Sequence, residues 1–220
     1  MEKTLLQTLA TLFPVPFRSF AERFDRSPID TIEGLERFVR TRSSYIAQTS
    51  LHGYLKTRMG TRFTEFFEDD VFSRAIRVAA IKVFTSCVAD LSVFAAANVQ
   101  AGGALDAGET AALARHLVDA ALDSHLEAED FHHVPEGFSV AFDNRLSATL
   151  WANAATGEEA FAGSARDLIR FAPVVDEFKK FDEEIVRNSI RFRWLDVRAQ
   201  LRKRLDAERT ASAWRTRAGP

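Results

Sequence analysis

The sequence predicts an all-α protein, a single-domain helical bundle of about seven or eight helices that includes two or three long helices. Apolar residues recur every three or four positions along nearly the whole chain, as in amphipathic helices. No stretch of strand length alternates apolar and polar residues with a period of two. The chain has 220 residues, of which 46% are hydrophobic, so it can form one large domain with a substantial core. We therefore expect one helical domain over residues 1–220.

The first 28 residues form a predicted N-terminal helical appendage. Apolar spacing is helical over residues 2–13 and again from 17 to 24, with Pro14 and Pro16 separating the two stretches because proline ends a helix. The first long helix is predicted over residues 31–59. Asp30 or Thr31 can cap its start, and Gly60 is a suitable residue to follow its end.

The middle of the sequence contains the most apolar predicted helix, over residues 71–99. Its residues are apolar around much of the helix circumference, which is typical of a central, buried helix. A capping box formed by Asp106 and Glu109 predicts a further helix that continues to about residue 130. Further helices are predicted over residues 141–155, from a cap at Ser164 to about 171, and over 174–208.

Composition and charge exclude several classes of protein. The net charge is −2 and the pI is about 6.2, so the overall balance does not favour a nucleic-acid-binding protein. The single cysteine, Cys87, cannot form an internal disulfide, and its apolar surroundings predict a small buried hydrophobe. The start of the chain lacks the features of a signal peptide, and no apolar run reaches the length of a transmembrane segment. The sequence therefore predicts a cytoplasmic protein.

A stretch without charge inside the first long helix is the first candidate site. No charged residue occurs between Arg42 and Lys56, which indicates that this part of the helix is covered rather than solvated. A buried polar network is one interpretation of the stripe. A pocket for a small anionic ligand is the other, with Arg58 and Arg62 as a clamp unless they pair with the acidic residues 68–70. The predicted ligand-binding residues are Tyr45, Gln48, His52, Lys56, Arg58 and Arg62.

Histidines and carboxylates near residue 130 form the best candidate for a metal site. His125 and Glu129 are four residues apart, and Glu129 and His132 have the E-x-x-H spacing that places both on one helix face. Two histidines and a carboxylate could hold a single metal ion. The alternative interpretation is a solvated acidic helix whose last turn carries histidines.

The last predicted helix contains a heptad pattern, with an asparagine inside its apolar seam. The seam could pack against the bundle of the same chain or against a second copy. Beyond it, residues 205–220 are rich in arginine and are predicted to form a projecting basic arm. The residues of the predicted seam are Phe181, Ile185, Asn188, Phe192 and Leu195.

The sequence contains no recognised catalytic motif. There is no G-x-S-x-G sequence, no P-loop and no G-x-G-x-x-G, and we expect no cofactor. The strings "YLKTRMGTRF", "FEDDVF" and "FDEEIVRNSIRFRWLDVR" resemble segments of an uncharacterised bacterial all-helical protein family. Some members of that family carry an esterase label, so the resemblance implies a hydrolase as one alternative.

Two hypotheses about function follow from these observations. The first is a non-enzymatic interaction protein, an adaptor or assembly factor, that binds a protein partner or itself through the heptad-patterned helix. The second is a helical-bundle enzyme or binder of a small anion, with a polar pocket around Tyr45, His52, Lys56 and Arg58.

Overall fold

The protein is all-α, as predicted from its sequence. The computed structural model describes residues 26–60, 69–157 and 160–218, so the helices predicted over 2–13 and around 17–24 lie outside the described residues, as does most of the predicted appendage. The described residues form ten helices, of which seven have seven residues or more, and they contain no strand. We number the α-helices α1 to α9 in chain order.

Helices α1 and α2 form the centre of the fold. Helix α1 spans Ile32–Met59, and the side chain of Thr31 caps it by accepting the backbone N–H of Gly34 at 3.1 Å. Helix α2 spans Asp70–Gly103, and the Asp69 carboxylate accepts two N–H groups of its first turn. Both helices agree closely with the predicted ranges, because the caps and the apolar pattern are local features of the sequence.

Most of α2 is buried against the other helices. It is the one helix among the described residues with the length and apolar composition to cross a membrane, but 89% of that apolar window is buried inside the fold. This burial is typical of the core helix of a bundle, which other helices surround along most of its length.

Several shorter helices follow α2 along the chain. Helix α3 spans Ala107–Asp123 and starts with the predicted capping box. It ends earlier than residue 130, and a 3-10 helix follows over Ala128–His133. The helix predicted over residues 141–155 is divided into α4, Phe138–Ala148, and α5, Trp151–Thr156. Helix α6 spans Ala162–Phe171, so Ser164 lies inside its first turn and does not cap it.

The prediction of one long helix over residues 174–208 is wrong, because the helix is interrupted twice in this range. Helix α7 covers only Asp176–Lys179, α8 spans Glu183–Arg204, and α9 spans Ala207–Ala218. At the second break, the backbone forms hydrogen bonds with Ile29, which lies far away in the sequence. The N–H of Ile29 donates to the carbonyl of Arg204 at 2.8 Å, and the N–H of Asp206 donates to the carbonyl of Ile29 at 2.9 Å.

The predicted projecting arm is also wrong over residues 205–217, because α9 packs against α2. Trp214 is 8% exposed and Ala211 is 1% exposed. The approach is close, since a Cβ atom on Gly103 would lie 2.6 Å from the Cβ of Ala211. The basic residues of α9 pair within the domain, with Arg215 Nε 2.7 Å from Glu109 Oε1 and Arg217 Nη1 3.0 Å from Glu33 Oε1. The arginines therefore neutralise acidic residues of the same chain.

Candidate functional site

The charge-free part of α1 is covered by other helices, as the sequence indicated. Ser43, Ser44 and Ser50 are all buried. Near its end, the Asp182 carboxylate at the start of α8 accepts the hydroxyl of Tyr54 at 2.8 Å and also binds the guanidinium of Arg58. Arg58, predicted as part of an anion clamp, therefore has its anion within the protein.

The other residues of the predicted ligand pocket have separate surroundings within the described residues. Gln48 donates to Ser44 Oγ at 3.1 Å, and Lys56 is exposed. Burial lowers the pKa of His52, and the nearby Lys56 charge lowers it further. Tyr45 is half-buried, and Arg62 lies outside the described residues. The buried hydroxyls of Ser43 and Ser50 form no hydrogen bond within the described residues, so this part of α1 is covered without forming a continuous polar network.

The predicted metal ligands are separated by the early end of α3. His125 lies after the helix and stacks on Phe84, with 3.9 Å between the ring centroids. Glu129 forms an ion pair with Arg77 at 3.0 Å. In the parts of the chain that the structure describes, no group of three or more His, Cys, Asp or Glu side chains is arranged to hold a metal ion.

The heptad seam lies on the outside of the molecule. The face that it forms, which we name the α8 outer face, consists of exposed residues at the start of α8 and along it. Their exposed fractions are 82% for Phe181, 71% for Ile185, 78% for Phe192 and 51% for Leu195. Asn188 lies in the same row and is exposed too. Within the described residues, the seam therefore does not pack against the chain's own bundle, which was one of the two expected arrangements.

A second apolar row of α8 packs into the domain, on the opposite side of the helix. Trp194 is its centre, 1% exposed, with its Nε1 donating to Ser164 Oγ at 3.1 Å and its ring 4.5 Å from that of Phe161. Arg42 of α1 donates to Gln200 at 2.9 Å. These contacts hold α8 in place, so its outer face is presented by a fixed helix. The buried residues of this row are Val186, Ile190, Trp194, Val197 and Leu201.

A buried polar cluster between α2, α4 and α6 was not predicted from the sequence. Asp90 is fully buried and accepts Arg145 Nη1 at 2.7 Å and the backbone N–H of Ser164 at 2.7 Å. Ser86 donates to Asp167, which also binds Arg166 at 3.0 Å. Burial raises the pKa of Asp90, although Arg145 and Ser164 oppose that rise. The sequence feature that could have indicated this cluster is Asp90, a carboxylate in the middle of the most apolar helix.

A cavity of about 230 Å³ lies beside this cluster, with Asp90, Arg145 and Asp167 in its lining.

Cys87 is fully buried, and burial raises the pKa of its thiol well above the ordinary value, with the charges of Asp90 and Asp167 adding to the effect. The cysteine thus stays a neutral thiol, as expected for a small hydrophobe in the core.

No family model matches the sequence, and no curated protein or solved structure matches it either. The resemblance to an uncharacterised bacterial family therefore stays a prediction. The molecule itself defines a class: an all-α bundle in which one fixed helix has an apolar row on each of its two opposite faces.

Proposed function

We propose that the protein is a non-enzymatic helical interaction protein that pairs with a second copy of itself through the α8 outer face. The observation that carries the proposal is the exposure of this face. Six of the ten large hydrophobic residues exposed among the described residues lie between Val175 and Leu195. Apolar patches of this kind on a folded protein mark interaction sites.

The heptad spacing supports a helical partner. Two residues of the face, Ile185 and Phe192, occupy one heptad position, and Phe181, Asn188 and Leu195 occupy the other. Such a seam receives knobs from a facing helix with the same repeat. A second α8 has that repeat by construction, and a two-fold axis makes the contact self-complementary.

Charge complementarity favours an antiparallel arrangement of the two helices. When Ile185 of one copy lies opposite Asn188 of the other, Phe192 lies opposite Phe181. In this register, Glu184 of each copy flanks the seam beside Arg191 of the other, which gives two ion pairs of opposite charge. Glu184 and Arg191 are both exposed on α8 and available for such contacts.

The area of the face suits a reversible dimer. Burying each large apolar side chain removes roughly 100 Å² or more from water, so the four of this face amount to about 400 Å² per copy. A standard stable interface buries about 800 Å² per partner. The polar Asn188 weakens the seam but helps to fix its register.

The test measures the oligomeric state by analytical ultracentrifugation over a range of concentrations. The wild-type protein should dimerise, and Phe192→Asp should weaken the dimer at least tenfold because a carboxylate replaces a buried ring. Val140→Asp is the matched control, since Val140 is also an exposed helical residue, at 64%, outside the face. A wild-type protein that stays monomeric at all concentrations would exclude the proposal.

Charge reversal tests the antiparallel register. Glu184→Arg alone and Arg191→Glu alone each place like charges together and should weaken dimerisation, whereas the double variant should restore it. In a parallel dimer Arg191 would instead face Asp196 of the other copy, so the double variant would stay weak. Loss of thermal stability in monomeric Phe192→Asp would assign the face to another segment of the same chain and count against a dimer.

A further inference from the structure

A groove on the outer side of α2 has an apolar floor and positively charged ends. It has a volume of about 380 Å³, and Phe171 at the end of α6 forms one wall. Its remaining apolar surface comes from Val71, Val78 and Pro173, and its two charged residues are Arg74 and Lys82. None of the residues that line it is acidic.

The cations of this groove have no carboxylate partners. Across the described ranges, no carboxylate oxygen lies within 4.0 Å of a charged nitrogen of Arg74, Lys82 or Arg170. By contrast, Arg58, Arg77 and Arg145 each form an ion pair with a carboxylate of the same chain. The groove therefore combines apolar surface with positive charge that forms no ion pair within the described residues.

Phe171 lies beside Lys82, a cation of the groove, and beside Arg170, a neighbouring cation outside the groove lining. The Lys82 ammonium lies 4.9 Å from the centroid of its ring, and the Arg170 guanidinium carbon lies 5.0 Å from it. Arg74 lies eight residues before Lys82 on α2, which is about 12 Å along the helix axis. An extended molecule in the groove would thus contact apolar side chains along its length and a cation at its end.

We propose that this groove binds a small organic carboxylate with an apolar body, of the medium-chain fatty-acid type. The apolar body lies along Val78 and Phe171, and the carboxylate accepts hydrogen bonds from Lys82 or Arg74. Ligand sites of this size combine apolar walls with a few polar groups that fix orientation. The charge-assisted bond supplies the preference for an anion over an alcohol.

A carboxylate fits this groove better than a phosphate. Phosphates bind preferentially at helix N-termini, where several backbone N–H groups point at the anion. The N-terminus of α2 is adjacent to the groove, since Val71 is in its first turn, but the Asp69 carboxylate already accepts the N–H groups of Val71 and Phe72 at 2.8 and 3.1 Å. Side-chain donors alone remain, so the backbone N–H groups that would favour a phosphate at this helix end do not contribute.

The test compares three probes with the same eight-carbon chain by isothermal titration calorimetry on the full-length protein. Octanoate should bind, octan-1-ol should bind at least tenfold more weakly, and octyl phosphate should not exceed octanoate. Binding of the alcohol as tight as that of octanoate would overturn the proposal. Binding of octyl phosphate alone would overturn the assignment of a carboxylate, and no heat with millimolar octanoate would exclude the site.

Variants place the binding in the groove. Lys82→Gln and Arg74→Gln should together weaken octanoate binding at least tenfold, and Val78→Asp should abolish it. Lys203→Gln is the matched control, because Lys203 is an exposed lysine of α8 outside the groove. Equal weakening by Lys203→Gln would show non-specific charge attraction and would overturn the proposal. Far-UV circular dichroism and melting temperatures confirm that each variant is folded.

Discussion

The carboxylate of Asp90 accepts the backbone N–H of Ser164 at 2.7 Å, which ties the middle of α2 to the first turn of α6. A helix has unpaired N–H groups in its first turn and a positive partial charge there. Asp90 therefore caps α6 from another helix, and Arg145 completes its neutralisation at 2.7 Å. This contact organises three helices around one buried charge.

Replacing Asp90 by Asn should reduce the free energy of unfolding by about 1–3 kcal/mol, because the half-buried Arg145 and the N–H of Ser164 would lose a charged acceptor. Urea unfolding measures the loss. Asp176→Asn is the control, since Asp176 is 91% exposed and its pair with Lys179 is a surface ion pair that contributes less than about 0.5 kcal/mol. Equal effects of the two substitutions would contradict a structural role for Asp90.

Gly163 is required where Asp90 approaches α6. A Cβ atom at this position would lie 2.8 Å from Asp90 Oδ1, which is too close for a real contact. Gly163→Ala should lower the free energy of unfolding by about 1–3 kcal/mol, as overpacking does. In Gly53→Ala the new Cβ would lie 3.6 Å from Arg193 Nη2, an ordinary contact. That variant should be neutral or stabilise the helix by up to about 1 kcal/mol.

His125 should make stability depend on pH. Burial, with a smaller effect of the Arg40 charge, lowers the pKa of His125 to about 4 from the ordinary value of 6.5. Between these values the unfolded state binds more protons, so this contribution is complete above pH 6.5 and is lost as the pH falls toward 4. The expected loss is on the order of 2–3 kcal/mol.

Urea unfolding at several pH values, for the wild type and for His125→Phe, isolates this contribution. Phenylalanine keeps a ring against Phe84 but cannot take up a proton, so the variant should lose less stability on acidification than the wild type. The other titrating groups are common to both proteins and cancel in the difference. Parallel profiles for the two proteins would show that His125 is not responsible.

Trp214 tests the packing of α9, where the sequence predicted a projecting arm. Because the residue is 8% exposed, Trp214→Ala should lower the free energy of unfolding by about 3 kcal/mol or more. Leu150→Ala is the control, since Leu150 is 71% exposed and its truncation should change stability by less than about 0.5 kcal/mol. A solvated arm would make the tryptophan substitution as neutral as the control.

The local features of the fold could be predicted from the sequence. Thr31 and Gly60 mark the ends of α1, and Asp106 with Glu109 marks the start of α3, because capping depends on residues within one turn. The apolar circumference of α2 identified the core helix, because the spacing of apolar residues along one helix is also a local feature of the sequence. The end of α3 was missed, since no proline or glycine near Asp123 announces it.

The long-range features could not be predicted in this way. The break at Leu205 depends on Ile29, which lies far away in the sequence, and the pairing of Asp182 with Tyr54 joins residues of different helices. The candidate ligand residues of α1 were chosen because their side chains are polar and share one helix face. Arg58, one of these residues, binds Asp182 at the start of α8, and a pattern within α1 does not contain that partner.

The sequence by itself determined that the chain forms helices, where most of them begin, and which helix is the most apolar. The tertiary structure decided which apolar row of α8 is inside. Both rows repeat with helical spacing, so periodicity cannot rank them. Trp194 fills the site between Phe161 and Ser164, whereas Phe192 has no such site among the described residues. The choice between them depends on the shape of the neighbouring helices, which exists only once the chain has folded.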